Sequence, residues 1–180
     1  MERIAVYIDG ANFFGGLRTI NKRYTDFKFD FDKYIKKISR GAKLILVNYY
    51  NASLKKHKNE SLFINQQKFF ARLRKNKKFN VILCKRQARI GENGEYFSIK
   101  GDDIHLAVDM LKDAFENKFD KAILILGDED FSVLVKYVKN KGKKVENHHF
   151  KASVSLDLIN ECDFTVTLDK KVVNKFFYRS

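Results

Sequence analysis

Apolar residues fall in short, nearly continuous runs, separated by longer stretches with helical spacing. RIAVYI (3–8), KLILVNYY (43–50), NVILC (80–84), KAILIL (121–126) and KKVEN (143–147) predict strands, with a weaker one at DFTVTL (163–168). The first four runs carry little polar alternation, as expected for strands buried on both faces of a parallel sheet. Between them, Ile104, Ala107, Val108, Leu111 and Phe115 recur at helical spacing, as do Phe131, Leu134, Val135 and Val138. Strand and helix alternating in this way predict an α/β fold, an open parallel sheet with helices on both faces. No Pro/Gly/Ser-rich linker and no internal repeat interrupts the chain, so residues 1–180 are expected to form a single domain.

Residues 85–99 break the pattern. KRQARIGENGEYFSI has strand character on either side of Asn93-Gly94, a strong hairpin signal. Lys85, Arg86 and Arg89 lie on it and Lys100 just beyond, a set suited to holding a polyanion backbone. Charges also protect an ordinary exposed edge, which is the plainer explanation. Tyr96 or Phe97 would stack a base or pack on the sheet.

Composition turns this geometry towards nucleic acid. The 180 residues hold 36 Lys plus Arg against 22 Asp plus Glu, for a formal net charge of +14. Such a balance favours a polyanionic partner, although a Lys-rich, Pro-free composition also arises from a low-GC genome. Cys84 and Cys162 lie far apart without CxxC spacing, which excludes a zinc site of the usual kind and fits reduced thiols. The chain enters a strand-like run at once, and no uncharged apolar run approaches membrane-spanning length. A soluble, cytoplasmic protein is expected.

Acidic residues are outnumbered by basic ones in this chain, yet several gather at strand ends. Asp9 closes the first strand run, Asp128 and Asp130 follow the run ending at Leu126, and Asp102-Asp103 open the helix before it. In open parallel sheets, functional groups collect at the carboxyl ends of the strands. Crowded carboxylates repel and raise one another's pKa, a cost that a bound cation relieves. Hard oxygen ligands suit Mg²⁺ or Mn²⁺. Each acid also has a plainer role: Asp128 as cap of a helix starting near Glu129, Asp102 or Asp103 as cap of the preceding helix, Asp109 on a solvated face. Helical periodicity puts Asp102 and Asp109 on one face and Asp103 on another.

Other chemistries fit less well. A dehalogenase-type phosphatase needs a second Asp two residues after the first, where this chain has Ala11. No P-loop and no GxGxxG occurs. His148-His149 reads as structural or solvated, and His105 stands near the acids as at most a supporting partner.

IDGANFF, KGDDIHLAVDML and LGDEDFSVLVKYVKNKGKKVE, in this order, resemble the NYN domains, specifically the LabA-like branch of the PIN-like nuclease superfamily. A weaker likeness follows at SLDLINECDF, where the family shows a serine-led final helix. The likeness runs from Ile4 to about Asp169, with a core of about 3–169 and a short basic C-terminal tail. It implies a PIN-like parallel sheet of order 3-2-1-4-5 and a divalent-metal ribonuclease site. By position, Asp9, Asp103, Asp128 and Asp130 would be catalytic and metal-binding acids, Asn12 would orient the scissile phosphate, and Asp109 would be an accessory acid. Asp102 is an acid beyond the family pattern, and which of Asp102 and Asp103 meets the metal stays open, with family position favouring Asp103. Leu126 also departs from the small polar residue common before Gly127. The function implied is a Mg²⁺- or Mn²⁺-dependent endoribonuclease acting on single-stranded or structured RNA. The alternatives are a non-catalytic RNA-binding or regulatory protein that retains the pocket, and an interaction scaffold with a basic surface. Oligomeric state is open, a homodimer among the options.

Overall fold

The structure, a computed structural model, describes the backbone of residues 1–91 and 94–178, and the side chains of all of these except 86–100. Among the described residues, seven strands form one sheet: β1 (Arg3–Asp9), β2 (Lys43–Ala52), β3 (Phe79–Gly91), β4 (Gly94–Lys100), β5 (Lys121–Ile125), β6 (Lys144–His149) and β7 (Phe164–Thr167). Their order is β4-β3-β2-β1-β5-β6-β7. All neighbours are parallel except β3 and β4, which pair antiparallel. Without that returning arm, six parallel strands remain in order 3-2-1-4-5-6, the order expected from the sequence with the weak DFTVTL run added at the edge. The hairpin at 85–99 exists as the β3–β4 pair, while Asn93 of its expected turn lies outside the described residues.

Seven helices among the described residues cover the sheet: α1 (Gly10–Ile20), α2 (Phe31–Ile38), α3 (Glu60–Arg74), α4 (Asp102–Phe115), α5 (Phe131–Asn140), α6 (Leu156–Glu161) and α7 (Lys170–Val173). Alternate strand residues feed two cores. Ile4, Val6 and Ile8 pack with Phe13, Phe29, Phe31 and Phe69 on one face. Ala5, Tyr7 and Tyr50 pack with Leu106, Met110, Val135 and Leu158 on the other. Residues past Asp169 close onto the first core, where Val173 and Phe176 are buried. Among the described residues no helix is long and apolar enough to cross a membrane.

One expectation about facing needs correction. The spacing Ile104, Val108, Phe115 is helical, but these side chains are 69%, 57% and 62% exposed. Helix α4 instead buries Leu106, Met110 and Ala114, together with Asp102 and Asp113. The helix is apolar on two sides, so periodicity found it without revealing which side meets the sheet.

Candidate functional site

Asp9 is the last residue of β1 and the N-cap of α1, and it is 7% exposed. Its Oδ1 accepts the Asn12 backbone N–H at 2.9 Å, satisfying one of the donors left open at a helix start. Burial pushes its pKa up to about 7; the Asn12 N–H opposes this, and the charges of Asp102 and then Asp103 add to it. Gly10 follows because nothing larger fits: an added Cβ would lie 2.6 Å from Asn51 Nδ2 and the Tyr49 ring. Asn12, half-buried, sits in the first turn of α1.

Helix α4 brings in the second pair. It leaves Gly101, whose φ of 86° is left-handed and suits glycine. Asp102 and Asp103 occupy the first helical turn, past the N-cap position, which Gly101 fills. Capping therefore does not explain either acid, although carboxylates at a helix start are favoured by its dipole. Asp102 lies on the sheet-facing side and is 8% exposed, whereas Asp103 is exposed. Partial burial raises the Asp103 pKa, and the charges of Asp102, Asp128 and Asp130 raise it further. Asp102 is buried and Asp109 half-buried, in keeping with the single face that periodicity gave the two, whereas Asp103 is exposed.

The third contribution is the loop after β5. Gly127 is required there, since an added Cβ would sit 2.1 Å from the Ser153 carbonyl oxygen. Its own carbonyl accepts from Ser155 N at 2.9 Å. Ser155 in turn caps α6, so the serine-led helix of the sequence pins the loop that presents Asp128 and Asp130. Asp128 Oδ1 accepts from Asp130 N at 3.1 Å, shaping the loop itself rather than capping a helix at Glu129. Helix α5 starts at Phe131, and Asp130 at its N-cap makes no side-chain cap bond. Both carboxylates are exposed.

Two groups of acids thus meet at Asp103. It shares one field with Asp9 and Asp102, and another with Asp128 and Asp130. Asp109 stands apart as the acceptor of the Tyr50 hydroxyl. Among the described residues, no three His, Cys, Asp or Glu side chains are already set to hold a metal ion. Mg²⁺ seldom uses an all-protein cage; it binds through one or two carboxylates, several waters and substrate phosphate. The donor set here, all carboxylate oxygen, fits such an ion in kind.

Sequence reasoning missed the supports beneath these acids. Tyr50 donates to Asp109 while accepting from Asn48 Nδ2, and Asn48 accepts from Asn80 Nδ2 at 2.9 Å. Tyr7 donates to the buried Asp113, which also pairs with Lys118 at 2.7 Å. Tyr50 lies beside Asp9 in the β1–β2 register, a clue that strand pairing alone would give. Cys84 also stands in the field of the acids: burial first, then Asp102, Asp103, Asp9 and Asp109, push its thiol up to about 11.

The histidines at the end of β6 are structural. His148 bonds Tyr34 and lies 2.7 Å from Glu146, and His149 bonds Asn147 and Thr167. His105 is exposed beside the acids. Of the expected RNA-binding cations, Lys85 is exposed and lies opposite Lys100 in the hairpin register. The side chains of Arg86, Arg89 and Lys100 lie outside the described residues.

Comparison with known proteins follows the same outline. No curated protein matches the chain. A solved structure of a protein of unknown function from Vibrio parahaemolyticus is similar at 25% identity and TM-score 0.75, covering 98% of this chain and 96% of that one. The NYN domain model matches residues 3–169, from the first strand run through the last, and takes in every acid described above. The chain belongs to the NYN domain family, and so to the PIN-like nuclease superfamily.

Proposed function

We propose that this protein is a divalent-metal-dependent endoribonuclease, cutting RNA at the carboxylates gathered over the carboxyl ends of β1 and β5. The observation that carries this is Asp103, an exposed carboxylate coupled by charge to Asp102, Asp128 and Asp130 and, across the crevice, to the buried Asp9. Clustered acids in a chain of net charge +14 oppose the overall trend of the protein and cost stability. That cost is recovered when a cation and a phosphate arrive together. Asp9 and Asp103 would hold Mg²⁺ or Mn²⁺, with Asp102 as the substitute ligand, and the ion would supply Lewis acidity towards a phosphodiester.

Other steps belong to the chain. Asn12 orients the scissile phosphate from the first turn of α1. Asp128 and Asp130, exposed on their loop, take up the proton of the attacking water and align it opposite the leaving oxygen. Lys85, Arg86, Arg89 and Lys100 guide the RNA backbone along the hairpin into the crevice, since Lys100 is followed directly by Gly101 and the α4 acids. Cys84 and Cys162, both free thiols, suit a cytoplasmic enzyme.

The test is incubation of a generic labelled RNA with Mn²⁺ or Mg²⁺, against an EDTA control and against Asp9→Asn. Cleavage that needs the metal and Asp9 supports the proposal. The rival, an RNA-binding or regulatory module without turnover, draws support from the lack of a ready-made three-ligand cage among the described residues. RNA that is bound yet uncut with either ion would establish it.

A further inference from the structure

A cavity of about 820 Å³ lies beside the acids rather than at them. Gly10 and Ala11, the two residues after Asp9, form one wall, and Asn51 and Ala52 at the end of β2 form the floor. Helices α1 and α3 flank it, and the segment Arg23–Lys28 closes the far side. Its position, size and lining are explained by none of the roles given so far.

Two features define what it would hold. Phe14, Tyr24 and Phe27 offer aromatic surface; Phe14 is 39% exposed on α1, where a helix facing only water gains nothing from it. Arg18 stands over the Phe14 ring at 5.8 Å, and Arg72 over Phe69 at 5.5 Å. Around these rings Arg18, Arg23, Lys28, Lys68 and Arg72 line the cavity, and none has a carboxylate partner among the described residues. The one acid present, Asp26, is buried and already accepts from Tyr49 at 2.8 Å and from Thr25. Fixed amides shape the floor: Gln66 ties α3 to Ala52 and Leu54, at 3.1 and 2.8 Å. Aromatic faces for stacking, surrounded by cations without carboxylate partners, match a nucleobase carrying a phosphate. The volume is ample for such a ligand.

We propose that this cavity receives one nucleotide of the RNA strand, its base against Phe14, Tyr24 and Phe27 and its phosphate among the surrounding cations. This rests on the RNA reading above and deepens it. The strand crosses the carboxyl edge of the sheet, and the nucleotide seated between α1 and α3 fixes which neighbouring bond reaches Asp9. Cut-site preference is then set by the cavity, on the opposite face of the sheet from α4.

The probe is a labelled short single-stranded RNA, and a series of the same RNA with one abasic residue moved along it. Binding is read by anisotropy in EDTA, so cleavage plays no part. One abasic position is expected to weaken binding about fivefold or more, as loss of one stacked base would. Phe14→Ala should lose a similar factor on intact RNA and no longer distinguish that position. Lys28→Ala should weaken all members alike, and serves as the second variant should Phe14→Ala fold poorly. A flat series in the wild type, or one unchanged in Phe14→Ala, overturns the inference. So does a flat series alongside Phe14-dependent binding of free nucleoside 5′-monophosphates, which would make the cavity a mononucleotide site. RNA cut with metal despite a flat series removes only the cavity inference. A position-dependent series with no cutting under any metal removes only the nuclease proposal.

Discussion

The Tyr50 hydroxyl donates to Asp109 Oδ2 at 2.8 Å, tying the end of β2 to the middle of α4. A carboxylate with a fixed buried donor is held in one place, and here that place lies a full two turns along α4 from Asp102. Asp109 is therefore expected to act through the seating of α4 more than through direct contact with substrate. Asp109→Asn keeps an acceptor for Tyr50 and is expected to retain cleavage within about tenfold, the lower end of losses for supporting partners of a metal site. Tyr50→Phe removes the donor from a half-buried charge and is expected to destabilise by about 1–2 kcal/mol. Cleavage assays and urea unfolding check both; an Asp109→Asn protein as dead as Asp9→Asn would make Asp109 a ligand.

Burial gives the metal-free protein a pH dependence of known sign. Asp9 is pushed up to about 7 and Asp26 to about 6, both mainly by desolvation. A folded pKa above the unfolded value means the contribution to stability is full below about pH 4 and is lost as pH rises through 6 to 7. Asp9→Asn still accepts from Asn12 N and carries no charge. It should be stabler than wild type at pH 8 by on the order of 2–4 kcal/mol, and close to it at pH 4. Urea unfolding at the two pH values without metal is the check, and equal stability at pH 8 would contradict the burial argument.

A cation that binds only the folded protein should raise its melting temperature with concentration, by mass action. Mn²⁺ should act at lower concentration than Mg²⁺. Asp9→Asn and Asp103→Asn should each blunt the effect. Melting curves unmoved by either ion would count against the Asp9–Asp103 assignment.

The hairpin cations carry an expectation drawn from sequence alone. Each Lys or Arg that neutralises a phosphate lowers the salt slope of single-strand binding by about 0.7 when removed. Arg86→Ala combined with Arg89→Ala should weaken RNA binding and flatten its salt dependence, while leaving metal-induced stabilisation intact. A slope equal to wild type would move the RNA path to Lys55-Lys56 or to the run from Lys75 to Lys78.

Much of this architecture was readable before folding, for reasons that differ from element to element. Strands such as β1 and β5 are apolar on both faces because helices cover both, so composition alone marks them. The positions of Asp9 and Asp128 after strands, and of Asp102-Asp103 at a helix start, were legible because such patterns fix where strands end and helices begin. The orientation of α4 was not legible, since Ile104, Val108 and Phe115 are as apolar as the buried Leu106 and Met110. The α1–α3 cavity was invisible for another reason. Phe14, Lys28, Asn51 and Arg72 have ordinary neighbours in sequence and come together only through the crossovers that put α1 and α3 on one face. Tyr50 was missed because its role depends on a register with Asp9 that no local pattern encodes.

The most direct test of the central claim compares cleavage of one labelled single-stranded RNA, with saturating Mn²⁺, by wild type, Asp9→Asn, Asp102→Asn and Asp103→Asn. Asp9→Asn and Asp103→Asn are expected to lose about a hundredfold or more, since several kcal/mol of charge stabilisation would depend on the ion that the proposal gives them to hold. Asp102→Asn should lose much less, and all three should remain folded. Wild-type cleavage in Asp9→Asn and Asp103→Asn, from protein free of contaminating nuclease, would contradict the account.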